Sequence, residues 1–364
     1  MKKPLGLLFL VLLLGFALPA CTDTEQVFIE RVLFEDPPSE AMGFLGYSDQ
    51  EERLSVCGNC HIGQHADWRE TDHAGAWSTL QASSSAQEFC EGCHTVSANG
   101  NVVVDENVGY VGTNDPRYED VQCESCHGPG LDHVTNPDNE ASQPLASIVV
   151  GADLTSGCGE CHSGSHHPFL DEWAQSRHGD AGNDNYRERE GCRNCHGARG
   201  ALEAWGVNTE YIEKDGTDPI GITCAVCHDP HNAENSHQLR FPIDVPEVDT
   251  NLCMKCHQRR AVPDPTSRRG PHSPQGPLLL GENVGWQPPN FVYSDVLIRS
   301  THGTEANTRL CATCHVNENE ITDPLTEEFV FNATGHLFKP IPCLDEQGVP
   351  TASEECDISE RSFE

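Results

Sequence analysis

The longest run of apolar residues lies at the start of the chain. Lys2 and Lys3 precede an almost unbroken apolar stretch from Leu5 to Leu18. This stretch is too short to span a bilayer, and a basic start followed by a short apolar run is typical of a secretory signal peptide. We therefore expect residues 1–20 to be removed on export. No later segment is long and apolar enough to cross a membrane.

The apolar run ends in Leu18-Pro19-Ala20-Cys21, which resembles a bacterial lipobox. In such a sequence the cysteine becomes the acylated first residue, so Cys21 is predicted to carry lipid. Two or more acyl chains hold a protein stably at a membrane surface. The sequence thus predicts an acidic tether over residues 21–52, with an extended strand at residues 27–34, anchored to the outer membrane and facing the periplasm or the cell surface. The alternative is ordinary signal cleavage, which leaves Cys21 as a spare thiol.

After the leader, a short pattern replaces the long periodicities of ordinary helices and strands. A large apolar residue is followed by two residues, then Ser or Thr, one residue and His. The four copies are Trp68–His73, Trp173–His178, Leu297–His302 and Phe331–His336. The pattern predicts short helices that end near a histidine. An Asn99-Gly100 turn before Val102–Val104 predicts one hairpin per repeat, because Asn-Gly accepts the positive φ of a tight turn. The predicted fold class is mainly coil with short α-helices and few strands.

Composition indicates that side chains alone do not fill the interior. Hydrophobic residues make up 37% of the 364 residues and aromatic residues 7%, while there are 32 glycines and 24 prolines. A conventional apolar core would therefore be thin for this length. The chain has 57 Asp and Glu against 22 Lys and Arg, a net charge of −35. This charge excludes nucleic acid as a partner, because binding a polyanion requires basic residues.

Sixteen of the 19 cysteines form eight Cys-x-x-Cys-His motifs. This motif attaches c-type haem, since its two thiols bind the haem and its histidine binds the iron. We predict eight covalently attached haems. The attaching cysteines are Cys57, Cys60, Cys90, Cys93, Cys123, Cys126, Cys158, Cys161, Cys192, Cys195, Cys224, Cys227, Cys253, Cys256, Cys311 and Cys314, and the proximal histidines are His61, His94, His127, His162, His196, His228, His257 and His315.

Three cysteines lie outside the eight motifs. A zinc or disulfide framework would not require a histidine after every second cysteine. Cys343 and Cys356 lie in an acidic C-terminal tail. An exported chain enters an oxidising compartment, so these two are predicted to form a disulfide, which is worth about 3 kcal/mol for a loop of about 15 residues.

The motif spacing reveals an internal repeat. Cys57 and Cys158 are 101 residues apart, Cys90 and Cys192 are 102 apart, and Cys123 and Cys224 are 101 apart. Such a period indicates duplicated three-haem modules. The predicted boundaries are residues 53–157 for the first module, 158–252 for the second, and 253–364 for a third that has two haems and the disulfide-closed tail.

Eleven histidines remain after the proximal ones, against eight irons that need a second ligand. The fourfold pattern nominates four of them, Pro-containing turns three more, and the short spacing after a motif the last. The predicted distal ligands are His73, His133, His166, His178, His231, His272, His302 and His336. His65 is equivalent to His166 in the repeat, so the choice between them stays open. His167 and His237 are interpreted as surface residues or hydrogen-bond donors to a ligand.

On these residues the chain resembles the multihaem c-type cytochrome superfamily, which includes tetrahaem carriers of ammonia oxidation, pentahaem nitrite reductases and octahaem hydroxylamine or tetrathionate enzymes. The resemblance covers most of residues 57–336. It rests on Cys57–His73, Cys158–His178, Cys123–His133, Cys224–His231 and all eight motifs. It implies haems stacked into a chain that conducts electrons. The superfamily's reductases usually keep one open haem, often with Lys as proximal ligand. Here every motif ends in His, and Lys255 lies inside a motif, so the resemblance favours a carrier.

The sequence therefore predicts an exported, lipid-anchored octahaem cytochrome that relays electrons through bis-histidine haems, as an electron carrier rather than a catalyst. One alternative is a reductase of nitrogen or sulfur oxyanions at a five-coordinate haem. Another is a subunit of a haem filament or an outer-membrane conduit. The acid excess suggests redox partners with basic docking surfaces. The basic stretch Lys255, Arg259, Arg260, Arg268 and Arg269 is interpreted as pairing with haem propionates or, alternatively, with an acidic partner.

Overall fold

The computed structural model describes the middle of the chain with few gaps. It covers residues 34–150, 157–164, 166–179, 184–207, 219–261, 266, 268–281, 300–322, 326, 328–339, 343–344 and 350–351. The predicted signal peptide, the Cys21 anchor, all of the predicted strand at residues 27–34 except Phe34, and Cys356 lie outside these ranges. Within them, none of the helices has the length and apolarity required to cross a membrane.

The chain forms many short helices joined by turns. The α-helices are α1 (Ile62–Trp68), α2 (Ala76–Ala82), α3 (Glu91–His94), α4 (Gly109–Thr113), α5 (Cys123–His127), α6 (Leu131–Thr135), α7 (Phe169–Gln175), α8 (Asp184–Glu188), α9 (Arg193–His196), α10 (Ala198–Ala204), α11 (Cys224–Cys227), α12 (Gln275–Leu280) and α13 (Ala312–His315). Single 3₁₀ turns are Ser39–Ala41, Cys57–Asn59, Asp72–Gly75, Glu88–Cys90, Pro116–Tyr118, Glu140–Ser142, Cys158–Glu160, Ser236–Gln238, Cys253–Lys255 and Thr301–Gly303.

Strands occur as three small antiparallel pairs in the described ranges. They are β1 (Tyr47–Asp49) with β2 (Leu54–Ser55), β3 (Asn319–Thr322) with β4 (Phe329–Ala333), and β5 (Cys343–Leu344) with β6 (Pro350–Thr351). Such short pairs are only marginally stable alone and depend on the structure around them. The predicted class, mainly coil with short helices and few strands, is confirmed.

Two local predictions were wrong. The fourth copy of the apolar-to-histidine pattern, Phe331–His336, lies at the end of strand β4 and not in a helix, because Ile321 pairs with Phe331 across the β3–β4 hairpin. The Asn99-Gly100 turn forms, but Val102–Val104 is not a strand. The Asn101 side chain donates to the carbonyl oxygens of Ser97 and Ser125 instead, and thereby holds this segment against the third motif.

Four small apolar clusters replace a single core in the described ranges. Their largest members are Phe44 and Tyr118 in the first, Trp68 in the second, Leu202 in the third and Met254 in the fourth. Between them lies a cavity of 2540 Å³, several times the roughly 300–1,000 Å³ of an ordinary ligand pocket. The clusters therefore support the wall of this cavity and do not fill the protein.

The two halves of the repeat make the same tryptophan contact. Trp68 Nε1 donates to the carbonyl oxygen of Val121 at 3.0 Å, and Trp173 Nε1 donates to that of Ile222 at 2.9 Å. Each hydrogen bond joins the helix of the apolar-to-histidine pattern to the residues just before the third motif of its module. The duplicated sequence thus produces duplicated local structure.

Candidate haem-binding site

Each Cys-x-x-Cys-His motif folds into about one helical turn. In the first motif the backbone N–H of His61 donates to the carbonyl oxygen of Cys57 at 2.9 Å, and His162, His228 and His315 make the same bond to their first cysteines at 2.9–3.0 Å. A helical turn brings residues four apart to the same face. Both thiols and the imidazole of one motif are therefore presented to the same space.

Thiols of different motifs also meet. A hydrogen bond with Cys161 lowers the pKa of Cys93 to about 7, and one with Cys224 lowers the pKa of Cys158 to about 7. The hydrogen-bonded pairs are Cys57 with Cys123, Cys93 with Cys161, Cys158 with Cys224, Cys195 with Cys256, and Cys253 with Cys311. Attachment points of separate motifs consequently lie side by side.

The motif histidines face second imidazoles across a gap that one iron would fit. A metal–imidazole nitrogen bond is about 2.0–2.1 Å long, so two imidazoles on opposite sides of one metal ion have ring centres about 6.2 Å apart. Six of the eight motif histidines have a partner at 6.0–6.4 Å: His61 with His133, His162 with His73, His127 with His231, His257 with His178, His196 with His272, and His228 with His336.

Backbone carbonyls fix the tautomer of several proximal rings. The Nδ1 atoms of His94, His127, His228 and His315 lie 2.8–3.0 Å from the carbonyl oxygens of Ala76, Pro144, His237 and Phe338, respectively. A carbonyl only accepts, so Nδ1 carries the proton and Nε2 is left with its lone pair. A second partner of this kind orients most metal-binding histidines.

Burial keeps the ligand imidazoles neutral. Desolvation, reinforced by neighbouring histidines, lowers the pKa of His162, His178 and His336 to about 4. Neutral imidazole is the form that binds a metal ion. The donor set therefore fits haem iron. Among the described residues, no three or more His, Cys, Asp or Glu side chains converge into a zinc-like cluster.

His167, which the sequence analysis interpreted as a surface residue or hydrogen-bond donor, lies near two motif histidines. The ring of His167 lies 6.1 Å from that of His162, and partial desolvation together with the nearby His94 lowers the pKa of His167. Both His166 and His167 are exposed. The His167 ring therefore lies beside the fourth motif, and its pKa is also influenced by His94 of the second motif.

His65, the other candidate, has a structural role. Its side chain is buried, with Nε2 3.2 Å from both the backbone N–H of Ser55 and the carbonyl oxygen of Arg53. It packs against Gly58, where a Cβ atom would lie 2.5 Å from the imidazole ring. His65 therefore braces the first motif from outside the cavity.

The loop that carries His302 is tied to the eighth motif. Asn307 Nδ2 donates to the carbonyl oxygens of His302 and Leu310 at 2.7 and 3.1 Å, and Thr313 bonds to the Asn307 side chain. In the described ranges no imidazole ring faces His315 at the spacing found in the other pairs. The His302 ring is exposed, with Nδ1 3.4 Å from Ser300 Oγ.

A regular spacing that the sequence analysis missed would have identified His167. His73, His167 and His231 are each followed, 105 residues later, by His178, His272 and His336. In the structure, residues of this series face motifs of a neighbouring module. His73 and His178 face the first motif of the following module. His231 and His336 face the third motif of the preceding module. Successive modules therefore exchange histidines.

Two phenylalanines pack between imidazoles of different motifs. The Phe169 ring lies 5.5 Å from that of His162 and 5.0 Å from that of His336. The Phe338 ring lies 4.5 Å from that of His178 and 5.7 Å from that of His336. All four contacts have the edge-to-face geometry that aromatic rings prefer, so they fix the orientation of the rings they touch.

Comparisons with known proteins found matches to two family models and to other multihaem cytochromes. Residues 56–128 match the family model "Cytochrome c554 and c-prime", and residues 219–262 match the model "Doubled CXXCH motif". The chain is 26% identical over 164 residues to the multiheme cytochrome MtrA of Shewanella baltica; the match covers 39% of this chain and 44% of that protein. It is also similar to an undecaheme cytochrome from the S-layer of Carboxydothermus ferrireducens, with a TM-score of 0.41 and 20% identity over 85% of this chain and 53% of that one. The chain thus spans about half the length of these proteins.

Proposed function

We propose that this multihaem c-type cytochrome carries eight covalent haems and relays electrons along them without substrate chemistry of its own. The observation that carries the proposal is the facing of two imidazoles at 6.0–6.4 Å for six of the eight motif histidines. Haem iron supplies one-electron redox chemistry when bound. An iron with both axial positions held by protein has no open position for a substrate.

Six distal ligands are assigned from the ring contacts, and the other two are assigned from less direct contacts. His167 is assigned to the second motif because of its proximity to His94. His302 is assigned to the eighth motif because Asn307 ties its loop to that motif. The proposed distal ligands of the eight motifs in chain order are His133, His167, His231, His73, His272, His336, His178 and His302.

The thiol contacts support a continuous conducting order. Cys57 meets Cys123, Cys158 meets Cys224, and Cys253 meets Cys311. Near Cys161 lie both Cys93 and Cys126, and near Cys256 lie Cys195 and Cys227. The attachment points therefore run through motifs one, three, four, six, seven and eight, with motifs two and five joining from the side at four and seven.

The remaining features belong to the same proposal. Residues 1–20 direct export, Cys21 carries the lipid that holds the protein at the outer membrane, and Cys343 and Cys356 close the acidic tail. The modules are residues 53–157, 158–252 and 253–364. The relay takes part in a respiratory or extracellular electron transfer chain. The ligands exchanged between modules keep this arrangement rigid, since neither partner of a pair can move alone.

A second candidate, a reductase, is restricted to one site. His302 is exposed, so an open iron at His315 is the arrangement that would allow substrate to bind. All other motif histidines face a second imidazole or lie beside one. Carbon monoxide, which binds only iron with a free or weakly held axial position, separates the two functions.

The experiment is a count of haems and spin states in the purified full chain. Mass spectrometry of the mature protein gives the number of attached haems, and electron paramagnetic resonance of the oxidised protein gives the spin state of each iron. Eight haems, all low-spin, with no carbon monoxide adduct after reduction, are the expected result. A high-spin signal of one iron per chain with stoichiometric carbon monoxide binding would replace the relay by the reductase.

A further inference from the structure

Basic side chains are concentrated on the cavity in which the haem ligands lie. The whole chain has 57 Asp and Glu against 22 Lys and Arg. Among the described residues that line the cavity this ratio is inverted, with nine Lys and Arg against four Asp and Glu. In so acidic a chain, cations placed at this wall indicate a need to balance negative groups inside it. Each haem brings two propionate carboxylates, which are such groups.

These cations are unevenly divided among the modules. All nine lie between Arg177 and Lys339, in the second and third modules. Residues 53–150, which the structure describes without a gap, contribute many lining residues to the same cavity but no Lys or Arg, and they contribute the carboxylate of Asp72. The first module therefore offers its haems no cation at this wall.

The densest group of cations surrounds the fifth motif. Arg259 bonds to the carbonyl oxygen of Gly191, which precedes the motif cysteine Cys192, and the Arg259 carbonyl oxygen accepts from the backbone N–H of His272 at 3.2 Å. Arg187, Arg189, Arg260 and Arg269, which lie near the fifth motif, Arg259 or His272 in the sequence, line the same cavity. Both ligands of the fifth iron thus lie in the most basic part of the cavity.

A nearby cation favours the reduced iron, because reduction adds a negative charge, and an unbalanced carboxylate favours the oxidised iron. Resting on the relay proposed above, we propose that the haems of the second and third modules have higher reduction potentials than those of the first. Electrons then enter through residues 53–157 and leave through residues 253–364, and the arginines of the cavity set this direction.

The test is a spectroelectrochemical titration of the full, haem-loaded chain. Arg260→Gln with Arg269→Gln removes two exposed cavity cations and leaves the Arg259 contact in place. The expected result is at least a tenfold fall in the reduced-to-oxidised ratio at a fixed potential, which is 59 mV for a one-electron centre, confined to the most positive part of the curve. The control is Arg69→Gln, because Arg69 is exposed and does not line the cavity.

A variant that adds a positive charge tests the first module. Gln64 is an exposed lining residue there, and Gln64→Arg should raise the most negative part of the curve. A shift at the wrong end of the curve, or none beyond that of the control, overturns the inference. With eight low-spin haems still counted in the wild type, that result leaves the relay intact, whereas a high-spin iron contradicts the relay itself.

Discussion

The carboxylate of Glu172 accepts a hydrogen bond of 2.8 Å from the backbone N–H of His336, 164 residues further along the chain. The same carboxylate accepts from the backbone N–H of Thr334 at 2.8 Å and from its hydroxyl at 2.9 Å. Glu172 is buried, at 6% exposure. It fastens the segment that carries the distal ligand of the sixth motif to helix α7 of the second module.

Glu172→Gln should release this ligand. The glutamine amide would replace an accepting oxygen with an NH₂ group that faces the N–H and O–H donors of Thr334 and His336. Each buried donor left without an acceptor costs about 1–3 kcal/mol. We expect His336 to leave its position opposite His228 and one iron per chain to become high-spin, as measured by electron paramagnetic resonance. His336→Ala should give the same signal.

The control for Glu172 is its neighbour Asp171, whose carboxylate is exposed and accepts only from the backbone N–H of Gly164 at 2.8 Å among the described contacts. Asp171→Asn should keep every iron low-spin. If Glu172→Gln behaves like Asp171→Asn while His336→Ala does not, Glu172 plays no part in positioning the ligand.

Replacing His166 and replacing His167 should have opposite effects on carbon monoxide binding. His167→Ala removes the imidazole that lies near His94 and should leave the second iron five-coordinate, so that reduced protein binds one carbon monoxide per chain. His166→Ala should bind none, because the proposed ligand His167 then still holds the second iron. If His166→Ala binds carbon monoxide and His167→Ala does not, His166 is the ligand.

The unfolding free energy should depend on pH through Glu124. Burial raises the pKa of Glu124 to about 7, although the backbone N–H groups of Leu45, Gly46 and Gly130 donate to its carboxylate at 2.8–3.0 Å and oppose the shift. Between the ordinary carboxyl pKa and this value the folded state binds more protons than the unfolded state. Stability is therefore lost as pH rises through this window, by roughly 3 kcal/mol for such a shift.

Glu124→Gln removes this titration, so the variant should gain stability relative to the wild type as pH rises from about 4.5 to about 8. Denaturant unfolding of the haem-loaded proteins at several pH values measures the difference. Glu106, which is exposed, provides the control variant Glu106→Gln. A difference that stays constant with pH would contradict the raised pKa of Glu124.

Without haem the chain should not fold cooperatively. Its described apolar clusters are small and surround a cavity of 2540 Å³ that protein atoms leave open. A thin core cannot offset the conformational entropy of a chain this long. Calorimetry of protein made without haem attachment should show no unfolding transition, whereas a sharp transition would show that the clusters suffice alone.

Much of the site could be predicted from residue spacing, because covalent haem attachment is a local event. Cys57, Cys60 and His61 lie within one helical turn, and nothing distant in the chain is needed to bring them together. The same holds for the tryptophan contacts of the repeat, since Trp68 and Trp173 occupy equal places in duplicated segments.

The distal ligands are harder to predict from residue spacing. His167 follows its own module's first motif closely, yet His94 in the second motif of the module before also influences its pKa. Phe331–His336 has the same spacing of residue types as the helical copies but lies at a strand end, because pairing with β3 overrides the local pattern. Choices of this kind depend on contacts between modules.

The sequence by itself determined the class of cofactor, the repeat and the scarcity of regular structure, since each depends on residues close together in the chain. Only the tertiary structure decided which histidine faces which motif, how Glu172 holds His336, and where the cations gather around the cavity. The physical reason is that these relationships join residues from different modules, and their distances are set by how the modules pack around the cavity.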